Sequence, residues 1–253
     1  MTAQLSEVIS LCEQLLEPAR FKDYCPNGLQ VEGAPQVTKI VSGVTASQAL
    51  IDAAIEQQAQ VVLVHHGYFW KGEAPQVVGI KRKRLKALLE NDISLIAYHL
   101  PLDAHPSLGN NARLAELLGL QVEQGMEPGN ERSIGLIGRL PEPMSGDDFA
   151  DHIETKLGRK PQYIKGSEGL ISRVAWCTGA AQGMIDTAAE LQADAYLTGE
   201  ISEPTVHSAR ELGLHFYAAG HHATERYGVK ALGEYLSAQL GVEHVFVDID
   251  NPV

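Results

Sequence analysis

Three places in the chain set imidazoles beside one another or close to a carboxylate. His65-His66 follows the apolar run Val61-Val62-Leu63-Val64, His99-Leu100-Pro101-Leu102-Asp103 closes another apolar run, and Gly220-His221-His222-Ala223-Thr224-Glu225 closes a third. Adjacent histidines on an extended chain point to opposite sides, so His65 and His66 suit two neighbouring metal ions better than one unless the chain turns between them. Pro101 argues against a helix through 99–103, which leaves His99 and Asp103 on an irregular loop. If a helix begins near 221, His221 and Glu225 share a face at i, i+4 and can hold one ion or join two. Each cluster also has a plain structural reading: a hydrogen-bonded pair at a strand end, a solvated loop acid, a carboxylate favoured in a first helical turn. The conjunction favours metal. All the donors are nitrogen or oxygen, which suits Zn²⁺, Mn²⁺, Fe²⁺, Ni²⁺ or Co²⁺ rather than a thiolate site. A carboxylate can bridge two such ions roughly 3.5–4 Å apart.

The elements that must position these groups alternate in type. Apolar spacing predicts a helix over 4–17, ended by Pro18, and then a turn-rich loop through Asp23-Tyr24-Cys25-Pro26-Asn27-Gly28-Leu29-Gln30-Val31. Strands are expected at Lys39–Thr45, 60–64 and 93–98, with helices at 47–58, 81–91 and 110–118 between and after them. A strand at 134–140 and a helix over 147–157 opened by Ser145 belong to a middle segment, 121–169, read as a small layer of its own. A helix at 203–212, a strand at 214–218, a helix at 226–240 and a last strand at 245–249 complete the chain. Strands alternating with helices imply βαβ units and a largely parallel sheet, and sites in such sheets form beyond the carboxyl ends of the strands.

Residues 172–200 align without gaps on 38–66. Ala46, Gln48, Ile51, Asp52, Ala54, Glu56, Gln58, Ala59 and Leu63 face Ala180, Gln182, Ile185, Asp186, Ala188, Glu190, Gln192, Ala193 and Leu197. Glu200 then stands where His66 stands in the first block. Shared composition of two alanine-rich units is the alternative. The expected fold is α/β: two interlinked α/β units related by an internal duplication, with the metal site at strand carboxyl ends between them. The first domain is placed at 1–120 plus 215–253, carrying most ligands, and the second at 121–214.

Composition bounds the partners. The 253 residues are 44% hydrophobic and 21% charged, ordinary for a globular chain rather than a disordered one. A net charge of −12 disfavours general nucleic-acid coating. No apolar run is long enough to span a membrane, and Met1-Thr2-Ala3-Gln4 lacks the basic start of a signal peptide. Cys12, Cys25 and Cys177 are an odd number without CxxC spacing, which points to reduced thiols and a cytoplasmic setting. No phosphate-cradling GxxxxGK[ST] loop is present.

Five segments carry a resemblance: DYCPNGLQVEG at 23–33, GVTAS at 43–47, VVLVHHGYFW at 61–70, HLPLDAHPSLGNN at 99–111 and HFYAAGHHATERYG at 215–228. They are spread over nearly the whole chain and resemble the short bacterial form of the YbgI family. These are dinuclear-metal proteins also known as GTP cyclohydrolase I type 2 homologues or the NGG-interacting-factor family. The resemblance implies two divalent ions per chain, held by His65, His66, Asp103, His221 and Glu225, with one or both carboxylates bridging. It implies His99 near the site, either supporting a ligand or carrying a proton, and His99 and Glu225 are the candidate catalytic groups. It implies a toroidal homohexamer, a trimer of dimers, with sites facing an internal cavity. The reaction implied is hydrolytic opening of the guanine ring of GTP, giving dihydroneopterin triphosphate and formate. A metal-dependent scaffold without turnover and a hydrolase of damaged nucleotides are the alternatives.

Other groups have plainer expected roles. Lys81-Arg82-Lys83-Arg84 reads as a solvated helix face that could also draw in an anion. Tyr68, Phe69 and Trp70 could stack on a base or serve a core or an interface. Asn27, Gln30 and Glu200 are expected near the site; His152, His207, His215 and His222 are expected outside the ligand set.

Overall fold

The computed structural model describes all of residues 1–253. The chain divides into two compact units, Met1–Leu102 with Gly228–Asp250, and Asp103–Tyr227 with Asn251–Val253. No helix is long and apolar enough to cross a membrane.

The first unit is built on a five-stranded sheet in the order Glu243–Phe246, Lys39–Thr45, Val61–His66, Ser94–Ala97, Gly28–Val31. The first four strands run parallel and the last is antiparallel. Val61–Val64 and Ser94–Ala97 are buried throughout, as strands covered on both faces must be. Helix Gln48–Glu56 buries Leu50, Ile51 and Ala54 against this sheet, together with Leu85 and Leu88 of helix Gly79–Glu90. Ser47 starts the former by accepting a hydrogen bond from the Leu50 amide, the N-cap interaction its sequence position favours.

The second unit carries a six-stranded sheet in the order Gln121–Gly125, Leu136–Met144, Ile171–Trp176, Ala195–Thr198, His215–Ala218, Gln162–Ile164. Only Ile171–Trp176, Ala195–Thr198 and His215–Ala218 are mutually parallel; the flanking strands pair antiparallel. Besides a two-stranded antiparallel pair, Ala3–Gln4 with Gln36–Val37, the molecule therefore holds two larger sheets, the first parallel but for one edge strand and the second with a parallel centre and antiparallel margins, rather than one largely parallel sheet. Phe149, Ile153, Trp176 and Tyr217 lie at the centre of one core face and Tyr196 and Phe216 at the other.

The unit boundaries fall at Leu102/Asp103 and Tyr227/Gly228, not at 120/121 and 214/215. Leu114, Ala115 and Leu118 of helix Asn110–Leu118 pack in the core of the second unit, and strand His215–Ala218 is hydrogen-bonded within its sheet. Hydrophobic burial and strand pairing, not the position of the middle loop, decide the division. Three local expectations also change. Leu100–Asp103 is a short helical turn despite Pro101; proline is tolerated in a first turn, where its missing N–H has no intrahelical acceptor. The helix expected at 226 begins at His221 and runs to Leu240. Gly28–Val31, expected as loop, is the antiparallel edge strand.

The two aligned blocks share backbone detail. Ile40 pairs with Val61 and Val174 with Ala195, the same register in both. Gln58 and Gln192 both take left-handed conformations, with φ of 54° and 59°. Gln60 Oε1 accepts from the amides of Thr38 and Lys39, and Asp194 Oδ2 accepts from those of Ser172 and Arg173. The helices differ: Ser47 caps one, whereas the second block enters through a 3₁₀ turn at Gln182–Met184 before helix Ile185–Glu190.

The Asp194 clasp gives a direct test. Asp194→Ala leaves two backbone donors of a central strand without their charged acceptor and should destabilise the protein by about 2 kcal/mol, while Asp194→Asn should cost much less. Urea unfolding of the two variants checks this; equal destabilisation by both would show that the carboxamide cannot replace the clasp.

Candidate metal centre

In the first unit, three imidazoles meet where parallel strands end. His65 and His66 are the last two residues of Val61–His66, and His99 follows the strand Ser94–Ala97. The ligand-capable atoms of His65, His66 and His99 all lie within 4.8 Å of one another. Ring centroids are 4.6 Å apart for His65–His66, 5.0 Å for His65–His99 and 5.7 Å for His66–His99. Strand alternation was expected to separate His65 from His66. It governs the Cβ directions only, and at the carboxyl end of the strand the two rings still lean together.

Each ring is held by its Nδ1. His65, fully buried, sets Nδ1 3.0 Å from the Tyr98 carbonyl. His66 Nδ1 is 3.2 Å from the Thr45 hydroxyl, and His99 Nδ1 is 2.7 Å from Asp23 Oδ1. A carbonyl or carboxylate at Nδ1 keeps the proton there and leaves Nε2 as the basic nitrogen, which is how metal-binding histidines are oriented.

Asp23 is the residue here that sequence reasoning missed. Its side chain is 4% exposed. Besides His99 it accepts from the Tyr24 amide, from Asn27 Nδ2 and from the Leu100 amide. Asn27 Oδ1 in turn accepts from the His99 amide at 2.8 Å. Burial alone would raise the Asp23 carboxyl; hydrogen bonds from His99 and Asn27 and the nearby imidazole outweigh it, and the pKa falls from 3.8 to about 2. Cys25 also lies within reach of Asp23 and His99. Burial first, and then the Asp23 charge, push its thiol up to about 12. A thiol held protonated in this way is a poor ligand.

The aromatic residues after the histidine pair divide. Tyr68 is buried and donates to the Ala46 carbonyl, a core role. Trp70 sits edge-on to His99 at 5.1 Å and tilted to His66 at 6.0 Å, and Tyr24 lies 6.4 Å from His99. Gln30 fastens the loop by accepting from the Tyr68 amide and donating to the Tyr68 carbonyl. Of the basic helix only Arg82 and Lys83 form the exposed face expected of all four residues; Lys81 pairs with Glu73 and is mostly buried, and Arg84 is half-buried.

The second unit also gathers its candidates at strand carboxyl ends. Gly179 follows Ile171–Trp176, Glu200 follows Ala195–Thr198, and His221 follows His215–Ala218. His221 Nε2 lies 3.1 Å from Glu225 Oε2 one turn along the helix, and His221 Nδ1 lies 2.6 Å from Glu200 Oε1. Burial opposes a charge on His221, but Glu225 and Glu200 outweigh it and raise its pKa to about 9. Gly179 makes room for this pair. Its φ is +71°, and a Cβ there would stand 2.1 Å from Glu225 Oε1 and 3.2 Å from His221 Nε2. Thr224 Oγ1 accepts from the Gly179 amide and donates to the His221 carbonyl, fixing the helix start. Asp103 is buried; its Oδ1 accepts from Asn110 Nδ2 at 2.8 Å and lies 3.4 Å from the Thr178 hydroxyl. Asn111 donates to the Asp103 carbonyl and accepts from the Thr178 amide.

Three further histidines have side-chain partners outside these clusters. His152 bonds to the Leu118 carbonyl, His215 holds Tyr163 and Ser167, and His207 pairs with Glu203 on a helix surface. His222 gives its backbone amide to the Val253 carbonyl.

Two outcomes follow from these contacts. Gly179→Ala should remove metal from the His221–Glu225 half-site and lower stability, because the added methyl meets a carboxylate and the backbone is left-handed there; elemental analysis and thermal unfolding read the two effects, and unchanged metal content would contradict the packing argument. Asp23 contributes its stability above its ordinary pKa near 3.8 and loses it as pH falls towards 2, by about 2 kcal/mol in all. Asp23→Asn should therefore flatten the acid limb of the stability profile between pH 4 and 2; a parallel profile would contradict this assignment.

Comparison with known proteins places these features in a wider set. The description of the Duf34/NIF3 (NGG1p interacting factor 3) family matches residues 3–252. A Pseudomonas aeruginosa protein named GTP cyclohydrolase 1 type 2 homolog is 62% identical over 252 residues, covering all of both chains. One of the same name from Escherichia coli is 55% identical and covers 98% of each. Among solved structures, a protein described as ybgI, of unknown function, superposes with a TM-score of 0.95 at 54% identity, covering 99% of this chain and 100% of its own. A Thermus thermophilus protein superposes with a TM-score of 0.89 at 32% identity and the same coverage.

Proposed function

The chain belongs to the Duf34/NIF3 family, and from that membership and the anchoring of its imidazoles we propose that it is a dinuclear-metal hydrolase acting on a purine nucleotide. His65, His66, Asp103, His221 and Glu225 are the proposed ligands of two divalent ions. The observation that carries this is the state of the histidines. His65, His66 and His221 each have Nδ1 engaged, by the Tyr98 carbonyl, the Thr45 hydroxyl and Glu200 respectively. The Tyr98 carbonyl keeps the proton on Nδ1 of His65 and presents its Nε2 as the donor; the partners of His66 and His221 are compatible with the same tautomer. The donor set fits such ions. It is nitrogen and oxygen only, and its carboxylates are buried. Glu200 and Glu225 favour positive charge at His221, and a bound ion would supply that charge in place of the proton on Nε2.

When bound, a pair of divalent ions supplies Lewis acidity and a nucleophile active near neutral pH. The chain's own residues do the rest. Asp23 fixes His99 so that its Nε2 is the atom that takes or returns a proton, the role expected of a positioned imidazole near neutral pH. Trp70 and Tyr24 give that corner an aromatic wall on which a planar base can stack. The relatives' names support GTP as the substrate; the reaction proposed for it is opening of the guanine ring with release of formate. Assembly as a homohexamer belongs to the same proposal, and sedimentation velocity measures it directly.

Replacing both His66 and Asp103 with alanine should reduce metal from two ions per chain to below one while circular dichroism stays native. His99→Gln should keep the metal and lower formate release from GTP by about 10²-fold or more, in the range for loss of a general acid–base. Two metals retained in the double variant would overturn the ligand set. Full metal with no turnover of GTP in the native protein would overturn the substrate and leave a metal-dependent scaffold as the better reading.

A further inference from the structure

The second unit holds a cleft of about 580 Å³ lined by Arg159, Lys160, Gln162, Glu200, Ala218 and the segment Pro252–Val253, among others. We propose that this cleft binds the phosphate group of a phosphorylated small molecule through Arg159 and Lys160, and so delivers that molecule to the side of His221. The inference rests on the metal reading only for what happens next; the cleft itself is a separate feature of the second unit.

Four observations carry it. The volume falls within the range of small-molecule sites. Its two cationic side chains are consecutive, whereas the chain as a whole is strongly acidic, with a net charge of −12. A local cationic pair in a negative protein is where an anion would be held rather than merely attracted. Arg159 is also fixed in place. Nη1 donates to the Pro252 carbonyl, and a Cβ at Gly220 would stand 2.7 Å from Nε and 2.8 Å from Cδ, so the glycine leaves the guanidinium its room. Its Nε is nevertheless buried without a hydrogen-bond acceptor. With Nε enclosed, it is the terminal nitrogens of Arg159 that line the cleft, and their planar fork matches phosphate oxygens. Lys160, exposed beside it, adds a mobile second charge.

The fourth observation is position. Glu200 lines the same cleft and bonds His221 Nδ1 at 2.6 Å. A molecule in the cleft therefore lies one side chain from a proposed ligand. The absence of a glycine-rich phosphate loop in the sequence is consistent with this arrangement, in which side chains and not backbone amides meet the phosphate.

The test is calorimetric titration of the purified protein, with metal counted on the same sample. The probes are inorganic triphosphate, GTP and guanosine, and the variants are Arg159→Gln/Lys160→Gln and Lys160→Gln alone. Triphosphate and GTP should bind the native protein, more weakly as salt rises. The double variant should bind both at least tenfold more weakly, with guanosine binding and metal content unchanged. Lys160→Gln, at an exposed position, should lose a smaller factor and keeps the test open if the double variant does not fold. Equal triphosphate affinity in native and variant proteins, or no saturable triphosphate binding by the native protein, would overturn the proposal. So would an equal loss of guanosine affinity, which would mark general damage to the site. A sample holding less than one metal per chain that still shows the native-to-variant difference would support the cleft while contradicting the metal reading.

Discussion

A histidine can offer a metal only the ring nitrogen that carries no proton, so what holds the other nitrogen decides whether the residue is a ligand. Here that hydrogen bond is made by the fold itself. The Tyr98 carbonyl holds His65 and the Thr45 hydroxyl holds His66. Thr45 ends one strand flanking the one that carries the histidines and Tyr98 directly follows the other, so parallel pairing of these three strands sets the ring positions. Glu200 holds His221 in the same way from the neighbouring strand end. The arrangement is rigid because its parts are strand termini packed on buried cores, not loop tips.

The same constraint accounts for the residues that surround the donors. Gly179 is a glycine because Glu225 and His221 occupy the space a side chain would fill. Asn110, Asn111 and Thr178 form a hydrogen-bonded set that keeps Asp103 in one pose although it is buried. Asp23 and Asn27 grip His99 at both its ring and its backbone. Buried polar groups of this kind persist only where each has partners, and within each unit these partners lie near the carboxyl ends of its parallel strands.

The strand ends and their histidines were legible in the amino-acid sequence because burial on both faces writes itself as a continuous apolar run. Lys39–Thr45 and Asn110–Leu118 fall where their patterns put them. The shared register of the two blocks was foreshadowed by their ungapped alignment, and Glu200 was flagged by standing in the place of His66. Asp23 was not legible, because its partner lies 76 residues away and nothing local marks the pairing. The start of the last helix was missed because His221–Glu225 has no apolar periodicity; Thr224 and the left-handed Gly220 define it instead. The unit boundaries were hidden for a related reason. They depend on which core receives Leu114 and Leu118, a tertiary choice that periodicity does not express.

X-ray absorption spectroscopy of the metal-loaded protein tests the central claim most directly, because it reports ligand type without relying on turnover. This account expects nitrogen and oxygen scatterers only, at about 2.0–2.2 Å for a zinc-like ion, with the outer-shell signature of imidazole and a second metal nearby. A sulfur scatterer at about 2.3 Å, which would implicate a cysteine such as Cys25, or a spectrum with no imidazole contribution, would contradict it.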